Sequence, residues 1–207
     1  MNIQTIKVEQ FPLIIITDSH CNLENIRKLQ ELYPKNEIIS LGDITTLWKQ
    51  REEFNKFSID FFINSKICTL LGNHEDFILA VDKNDRNIIS NVTNKNLQKY
   101  NLEKYHIDFL SSLPIGFKLD FLNGNYYLAF HNFPNDLWGF SDNITKEKFL
   151  DSYSVVCSNC IGVLVGHNHK SFIKTFEGIF TKLIGIGALK DKDYAILNEG
   201  GIQFKSL

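Results

Sequence analysis

The stretch Leu13-Ile14-Ile15-Ile16-Thr17-Asp18-Ser19-His20 sets an unbroken aliphatic run directly before a carboxylate and an imidazole. A short apolar run of this kind reads as a strand buried on both faces, as in parallel sheets, and ligands of open α/β sheets bind outside the carboxyl ends of the strands. The arrangement recurs along the chain. Ile38 to Leu41 leads into Gly42-Asp43, Ile67 to Leu71 into Gly72-Asn73-His74-Glu75, Tyr127 to Phe130 into His131, and Val163 to Val165 into Gly166-His167-Asn168-His169. Together these strand ends supply enough oxygen and nitrogen donors for two metal ions.

Helical patterns separate the first three runs. From Asn22 onward Leu23, Ile26, Leu29 and Tyr33 recur at helical spacing up to Pro34. Between Gln50 and Asn64, Phe54, Phe57 and Phe61 form one stripe, the pattern of a helix that lays those rings on a sheet. Strand, helix, strand, helix, strand implies a parallel sheet and the α/β class. From Glu75 to about Leu113 the chain turns polar, with an Asn-rich stretch from Asp82 to Asn96 before a helix carrying Leu97, Tyr105, Phe109 and Leu110. Residues 76–113 are expected to form a helical insertion beside the site.

Beyond Pro114 the pattern is strand-rich. Phe117 to Leu122 and Tyr126 to Phe130 flank the hairpin signal Asn123-Gly124. Strands are expected at Gly162 to Val165, Phe172 to Phe176, Phe180 to Ile186, Tyr194 to Leu197 and Ile202 to Phe204, with Glu199-Gly200-Gly201 as a turn and antiparallel pairing throughout this half.

A chain of 207 residues is long enough for one domain, spanning 1–207, and short for two. Its 43% hydrophobic and 22% charged residues are ordinary for a globular protein. A net charge of -2 offers no basic surplus, so strong nucleic-acid binding by counterion release is not expected. The first residues, Met1-Asn2-Ile3-Gln4-Thr5-Ile6-Lys7, lack the basic start and apolar stretch of a secretory signal, and no run reaches the length of a membrane span, so the cytoplasm is the expected compartment. The 4 cysteines are too few and too irregular for a disulfide framework, and the single Cys157-Ser158-Asn159-Cys160 pair reads as packing rather than a zinc or redox site.

Asp, His and Asn suit manganese, iron and zinc. Alternation places Asp18 and His20 on one side, where they can share an ion. His167 and His169 repeat that spacing, either presenting both rings to one centre or dividing them between neighbouring ions, and Asp43 has two oxygens with which to bridge. Two divalent ions bring about +4 and two Asp remove about 2, leaving roughly +2, suited to a bound hydroxide and an anionic substrate oxygen, as in two-metal hydrolysis of phosphoesters.

The ordered set Asp18-x-His20, Gly42-Asp43, Gly72-Asn73-His74-Glu75, His131 and Gly166-His167-x-His169 resembles the calcineurin-like metallophosphoesterases, over the chain from about Leu13 to His169. The resemblance implies a four-layer α/β/β/α sandwich of two mixed β-sheets flanked by helices, with the later strands in the second sheet. It also implies two divalent ions, manganese first, with iron, zinc, nickel or magnesium as alternatives. On it, Asp18, His20 and His169 hold one ion, Asn73, His131 and His167 the other, and Asp43 bridges. His74 is then no ligand but touches the phosphate and assists the leaving oxygen, oriented by Asp43. Read from its position alone, Glu75 orients neighbours or starts a helix.

Two departures narrow the resemblance. Cys21 stands where many relatives have Gly, and Gly42-Asp43-Ile44-Thr45-Thr46-Leu47-Trp48 lacks the Gly-Asp-x-x-Asp-Arg-Gly of serine/threonine protein phosphatases and dinucleoside-tetraphosphate hydrolases. The family's small phosphodiesterases are the closer comparison, which implies hydrolysis of a small, nucleotide-like phosphodiester by a metal-bound hydroxide. A phosphomonoesterase or phosphoprotein phosphatase with the same centre is the second reading. A non-catalytic scaffold is a third, disfavoured by the complete donor set. Trp48, Trp138, Phe133 and Phe140 line either a substrate cleft or the core.

Overall fold

The computed structural model describes residues 2–47, 52–85, 100–139, 143–153 and 159–207. Its centre is β2 (Leu13–Ile16), whose side chains are all fully buried. Successive residues of a strand point to opposite faces. Leu13 and Ile15 therefore enter one apolar core and Ile14 and Ile16 another, so the strand needs cover on both sides.

β2 pairs in parallel with β3 (Ile38–Ser40), and β3 with β4 (Cys68–Thr69), as the strand-helix alternation predicts. The joining helices are α1 (Leu23–Leu32), capped by the Asn22 side chain on the Asn25 N–H at 3.2 Å, and α2 (Glu52–Asn64). The last two strands, β10 (Asp193–Asn198) and β11 (Gly201–Ser206), come back to this sheet. They give the order β11-β10-β2-β3-β4, with β10 antiparallel to β2. Their expected place in the second sheet is corrected: Ala195 and Leu197 face the same core as Leu13 and Ile15, which seats β10 beside β2.

The second sheet runs β1 (Ile3–Val8), β5 (Gly116–Phe121), β6 (Tyr126–Phe130), β7 (Cys160–Val165), β9 (Ile179–Gly185), β8 (Phe172–Phe176). The β5-β6 and β8-β9 hairpins are antiparallel as expected, whereas β7 is parallel to both β6 and β9. The reason is α5 (Lys146–Tyr153), a helix between β6 and β7 absent from the sequence reading, which returns the chain to start β7 in the same direction. β1 carries little strand signal in its sequence, because it is a mostly exposed edge strand.

Both sheets are mixed, and five helices cover them among the described residues. Val8, Leu41, Leu70, Phe117, Leu164 and Ile186 fill the space between the sheets. The helices α1, α2, α3 (Asn73–Lys83) and α4 (Lys104–Ser112) pack through Ile26, Ile59, Ile78 and Leu110 on the outer face of the first sheet. Phe149 and Tyr153 of α5 pack on the second. The result is the α/β/β/α sandwich, with β2, β3, β4, β6 and β7 all ending at one edge. Among the described residues no helix is long and apolar enough to cross a membrane.

One face is corrected. α2 forms where its apolar spacing predicts, but Phe54 and Phe57 are exposed, at 54% and 63%, while Asn55, Ser58, Ile59 and Phe62 turn inward. The inward polar pair is needed by the loop after β3: Asn55 bonds both backbone groups of Thr46, and the Ser58 hydroxyl donates to the Ile44 carbonyl at 2.7 Å. Buried backbone groups must find partners, and that requirement outweighs the larger apolar area of the phenylalanines. Phe62→Ala is expected to cost about 3–5 kcal/mol, and Phe57→Ser to stay within about 0.5 kcal/mol of the parent. Urea unfolding measures both, and equal losses would contradict the assignment of faces.

Candidate metal centre

Three strand ends, those of β2, β3 and β7, deliver their polar residues through a tight backbone. Asp18, His20, Asp43, His167 and His169 all have positive φ, between 43° and 65°, a region non-glycine residues rarely adopt. Such backbone persists only where its surroundings over-determine it, and it concentrates at functional sites. Two glycines allow the close approach: a Cβ on Gly72 would collide with the Asp43 carboxylate, and one on Gly166 with the Thr17 hydroxyl.

All the sequence-predicted site residues converge. His169 Nε2 lies 3.1 Å from Asp18 Oδ1 and 3.2 Å from His20 Nε2, and His20 Nε2 lies 3.8 Å from Asp18 Oδ1. Beside this group, Asn73 Oδ1 lies 2.9 Å from His131 Nε2 and 2.8 Å from His167 Nδ1. Asp43 stands between: Oδ1 is 3.4 Å from His131 Nε2, and Oδ2 is 4.0 Å from His20 Nε2 and 3.7 Å from His74 Nε2. The depth is graded, with the Asp18 and His131 side chains fully buried and His169 32% exposed at the mouth.

The donor set fits divalent ions. Main-chain carbonyls accept Nδ1–H from His20 (Thr45 O, 3.1 Å) and His131 (Leu41 O, 2.9 Å), so the neutral rings present Nε2 lone pairs inward. With the ring neutral, His131 Nε2 meets the Asn73 carbonyl oxygen at 2.9 Å, acceptor against acceptor, a pair that either a proton on Nε2 or a cation resolves. Asp18 Oδ1 is buried with no aligned hydrogen bond, although His169 stands beside it. Facing acceptors of this kind are what a cation resolves. Asp18, His20 and His169 form one group whose donor atoms lie within 4.8 Å of one another, and Asp18, Asp43 and His131 another.

The electrostatics reflect three buried carboxylates, Asp18, Asp43 and Glu75. Burial pushes the Asp43 and Glu75 carboxyls up. Burial would raise Asp18 too, but His169, His131 and His20 around it carry it well below the usual range. Burial pushes His20 and His74 down to about 4, against the pull of Asp43 on the first and Glu75 on the second. His167 falls to about 3, through burial and repulsion from His131. Burial would also lower His131, yet Asp43, Asp18 and Glu75 hold it above its ordinary value.

His74 is held differently from expectation. Its Nδ1–H donates to the Thr45 carbonyl at 3.1 Å, and its backbone N–H to Asp43 Oδ1 at 3.0 Å, so Thr45 sets the ring and Asp43 the helix start. Glu75 is more than a helix starter. Fully buried, it accepts the N–H groups of Gly72 and Asp43 on Oε2 and the N–H and hydroxyl of Thr45 on Oε1. Its place three residues after Gly72 is a capping-box spacing, a signal open to sequence reading, whereas the Leu41 and Thr45 carbonyls leave none.

The remaining expectations divide. Phe133 is core, packed on Tyr153, and Trp138 is half-buried, edge-on to Phe77. Cys21 is half-buried, its thiol donating to Asn55 Oδ1 at 3.1 Å. Cys160 is buried at the start of β7. Trp48, Leu97, Phe140 and Cys157 lie outside the described residues.

Comparison with known proteins bears on the family and the fold. A family model described as calcineurin-like phosphoesterase matches residues 11–182. The fold is similar to that of a hypothetical protein of Pyrococcus horikoshii (TM-score 0.69, 14% identity, covering 95% of this chain and 87% of that one). It is similar also to a metallophosphoesterase of Sphaerobacter thermophilus (0.61, 17%, 95% and 87%) and to a novel archaeal phosphodiesterase (0.54, 16%, 95% and 100%). At these identities the likeness is one of fold, and no curated protein matches the chain. The family match over most of the chain, on a sandwich whose strand ends gather these donors, makes this protein a member of the calcineurin-like phosphoesterase family.

Proposed function

We propose that the chain is a single-domain phosphodiesterase that hydrolyses small, nucleotide-like esters at a dinuclear centre. One ion is held by Asp18, His20 and His169 and the other by Asn73, His131 and His167. The observation that carries this reading is the meeting of buried carboxylates and inward Nε2 lone pairs with no lysine or arginine paired to them among the described residues. Asp43, with one oxygen toward each group, is the bridge. When bound, the ions supply a nucleophile from water at neutral pH and neutralise charge at phosphorus.

The residues divide the remaining work. Asn73, the first residue of α3, and His74 after it stand at a helix N-terminus, where backbone dipoles favour an anionic ester. With Nδ1–H bound to Thr45, His74 points Nε2 along the site, its side chain 16% exposed and so within reach of a leaving oxygen. Donation from Nε2 needs the imidazolium, which burial opposes and which Glu75, the Thr45 carbonyl and the negative charge of a bound ester favour. The preference for diesters rests on the lack of the Gly-Asp-x-x-Asp-Arg-Gly motif, and the compared archaeal phosphodiesterase lends it a precedent in the same fold.

Metal-loaded parent protein is expected to turn over bis(p-nitrophenyl) phosphate faster than p-nitrophenyl phosphate. The reverse order would favour the phosphomonoesterase reading. Asp43→Asn and His74→Ala should each lower kcat by at least about a hundredfold. Only Asp43→Asn should also lose bound metal. Near-parent rates in both loaded variants, or metal loss in His74→Ala equal to that in Asp43→Asn, would contradict the assigned roles.

A further inference from the structure

Thr45 sits between His20 of the first donor group and His74 at the start of α3. It is fully buried, and its carbonyl oxygen accepts Nδ1–H from both His20 and His74, each at 3.1 Å. An sp² oxygen has two lone pairs, so one carbonyl can hold two donors. The rings lie 4.5 Å apart, centre to centre, and both turn Nε2 toward Asp43 Oδ2.

This carbonyl is itself held from both ends. The Thr45 N–H, at 2.9 Å, and hydroxyl, at 2.5 Å, both donate to Glu75 Oε1. The Thr46 N–H shares the planar peptide unit of the Thr45 carbonyl. It donates to Asn55 Oδ1 at 2.8 Å, and Asn55 Nδ2 returns to the Thr46 carbonyl at 2.9 Å. Asn55 of α2 thus fixes the Thr45–Thr46 peptide plane, Glu75 of α3 holds the preceding peptide and the Thr45 side chain, and the carbonyl set between these grips fixes two imidazoles.

We infer that Thr45 is a positioning residue that orients the metal-binding imidazole of His20 and the leaving-group imidazole of His74 as one unit, clamped by Glu75. The catalytic half of this role rests on the phosphodiesterase reading, and the tautomers and metal affinity do not. Placement by a shared carbonyl makes the angle between the rings independent of substrate, so the proton donor keeps its bearing on the ion held by His20.

Imidazole nitrogen NMR on the metal-free, full-length protein near neutral pH reads the tautomers without any variant. The Nδ1–H form is expected for both His20 and His74, and the Nε2–H form of either overturns the inference. Thr45→Val keeps the shape and removes the hydroxyl that Glu75 grips. Manganese affinity, by calorimetry, is expected to fall about tenfold or more. Turnover should fall roughly tenfold further on diphenyl phosphate than on bis(p-nitrophenyl) phosphate, because the poorer leaving group depends more on a placed proton donor.

Thr45→Ser should restore both quantities. A loop that serves stability alone would instead lower the thermal midpoint, with equal losses on the two esters and unchanged manganese affinity, and that result overturns the inference. Should Thr45→Val fail to fold, Thr45→Ala is read by the same two measurements. A parent protein inactive on both diesters overturns the phosphodiesterase reading alone, while the tautomers and the manganese affinity still decide the role of Thr45.

Discussion

Three carboxylates, Asp18, Asp43 and Glu75, lie buried at one edge of the sandwich, and no lysine or arginine pairs with them among the described residues. Taking a carboxylate out of water costs several kcal/mol unless opposite charge or hydrogen bonds replace the solvent. The chain answers in two ways. Glu75 is satisfied by backbone and hydroxyl donors, which makes it a clamp on the loops after β3 and β4. Asp18 and Asp43 face imidazole nitrogens, in clusters whose donor atoms could hold metal ions. Burial of these acids, the left-handed backbone that carries them and the carbonyls that turn the histidines are parts of one solution.

The sandwich makes that solution affordable. Strands buried on both faces end together, so residues distant in sequence, such as Asp18 and His169, meet within 3.1 Å without a long loop between them. The strain of positive φ at Asp18, His20, Asp43, His167 and His169 is offset by the cores above and below β2 and by hydrogen bonds such as Thr17 to Asp18 at 2.7 Å. Rigid strand ends hold donors more accurately than free loops would, which is what a metal centre demands.

Much of this was legible in the sequence. Apolar runs followed by Asp, Asn and His located the strand ends, because burial on both faces removes polar residues from a strand and leaves them only where it stops. Other features depend on contacts that sequence does not display. The inward turn of Asn55 and Ser58 on α2 follows from the needs of the backbone at Ile44 and Thr46, which no hydropathy pattern records. β10 and β11 joined the first sheet because sheet membership is decided by long-range pairing, not by local spacing. The Thr45 and Leu41 carbonyls act through main-chain atoms that every residue possesses, so their part in orienting His20, His74 and His131 left no trace in side-chain identity.

The central claim is that these strand ends build two adjoining metal sites bridged by Asp43. Anomalous diffraction at the manganese edge, on crystals of the manganese-loaded protein, tests it most directly. Two peaks about 3.5–4 Å apart are predicted, one among Asp18, His20 and His169, the other among Asn73, His131 and His167, with Asp43 touching both. A single peak, or two that do not share Asp43, would contradict the account.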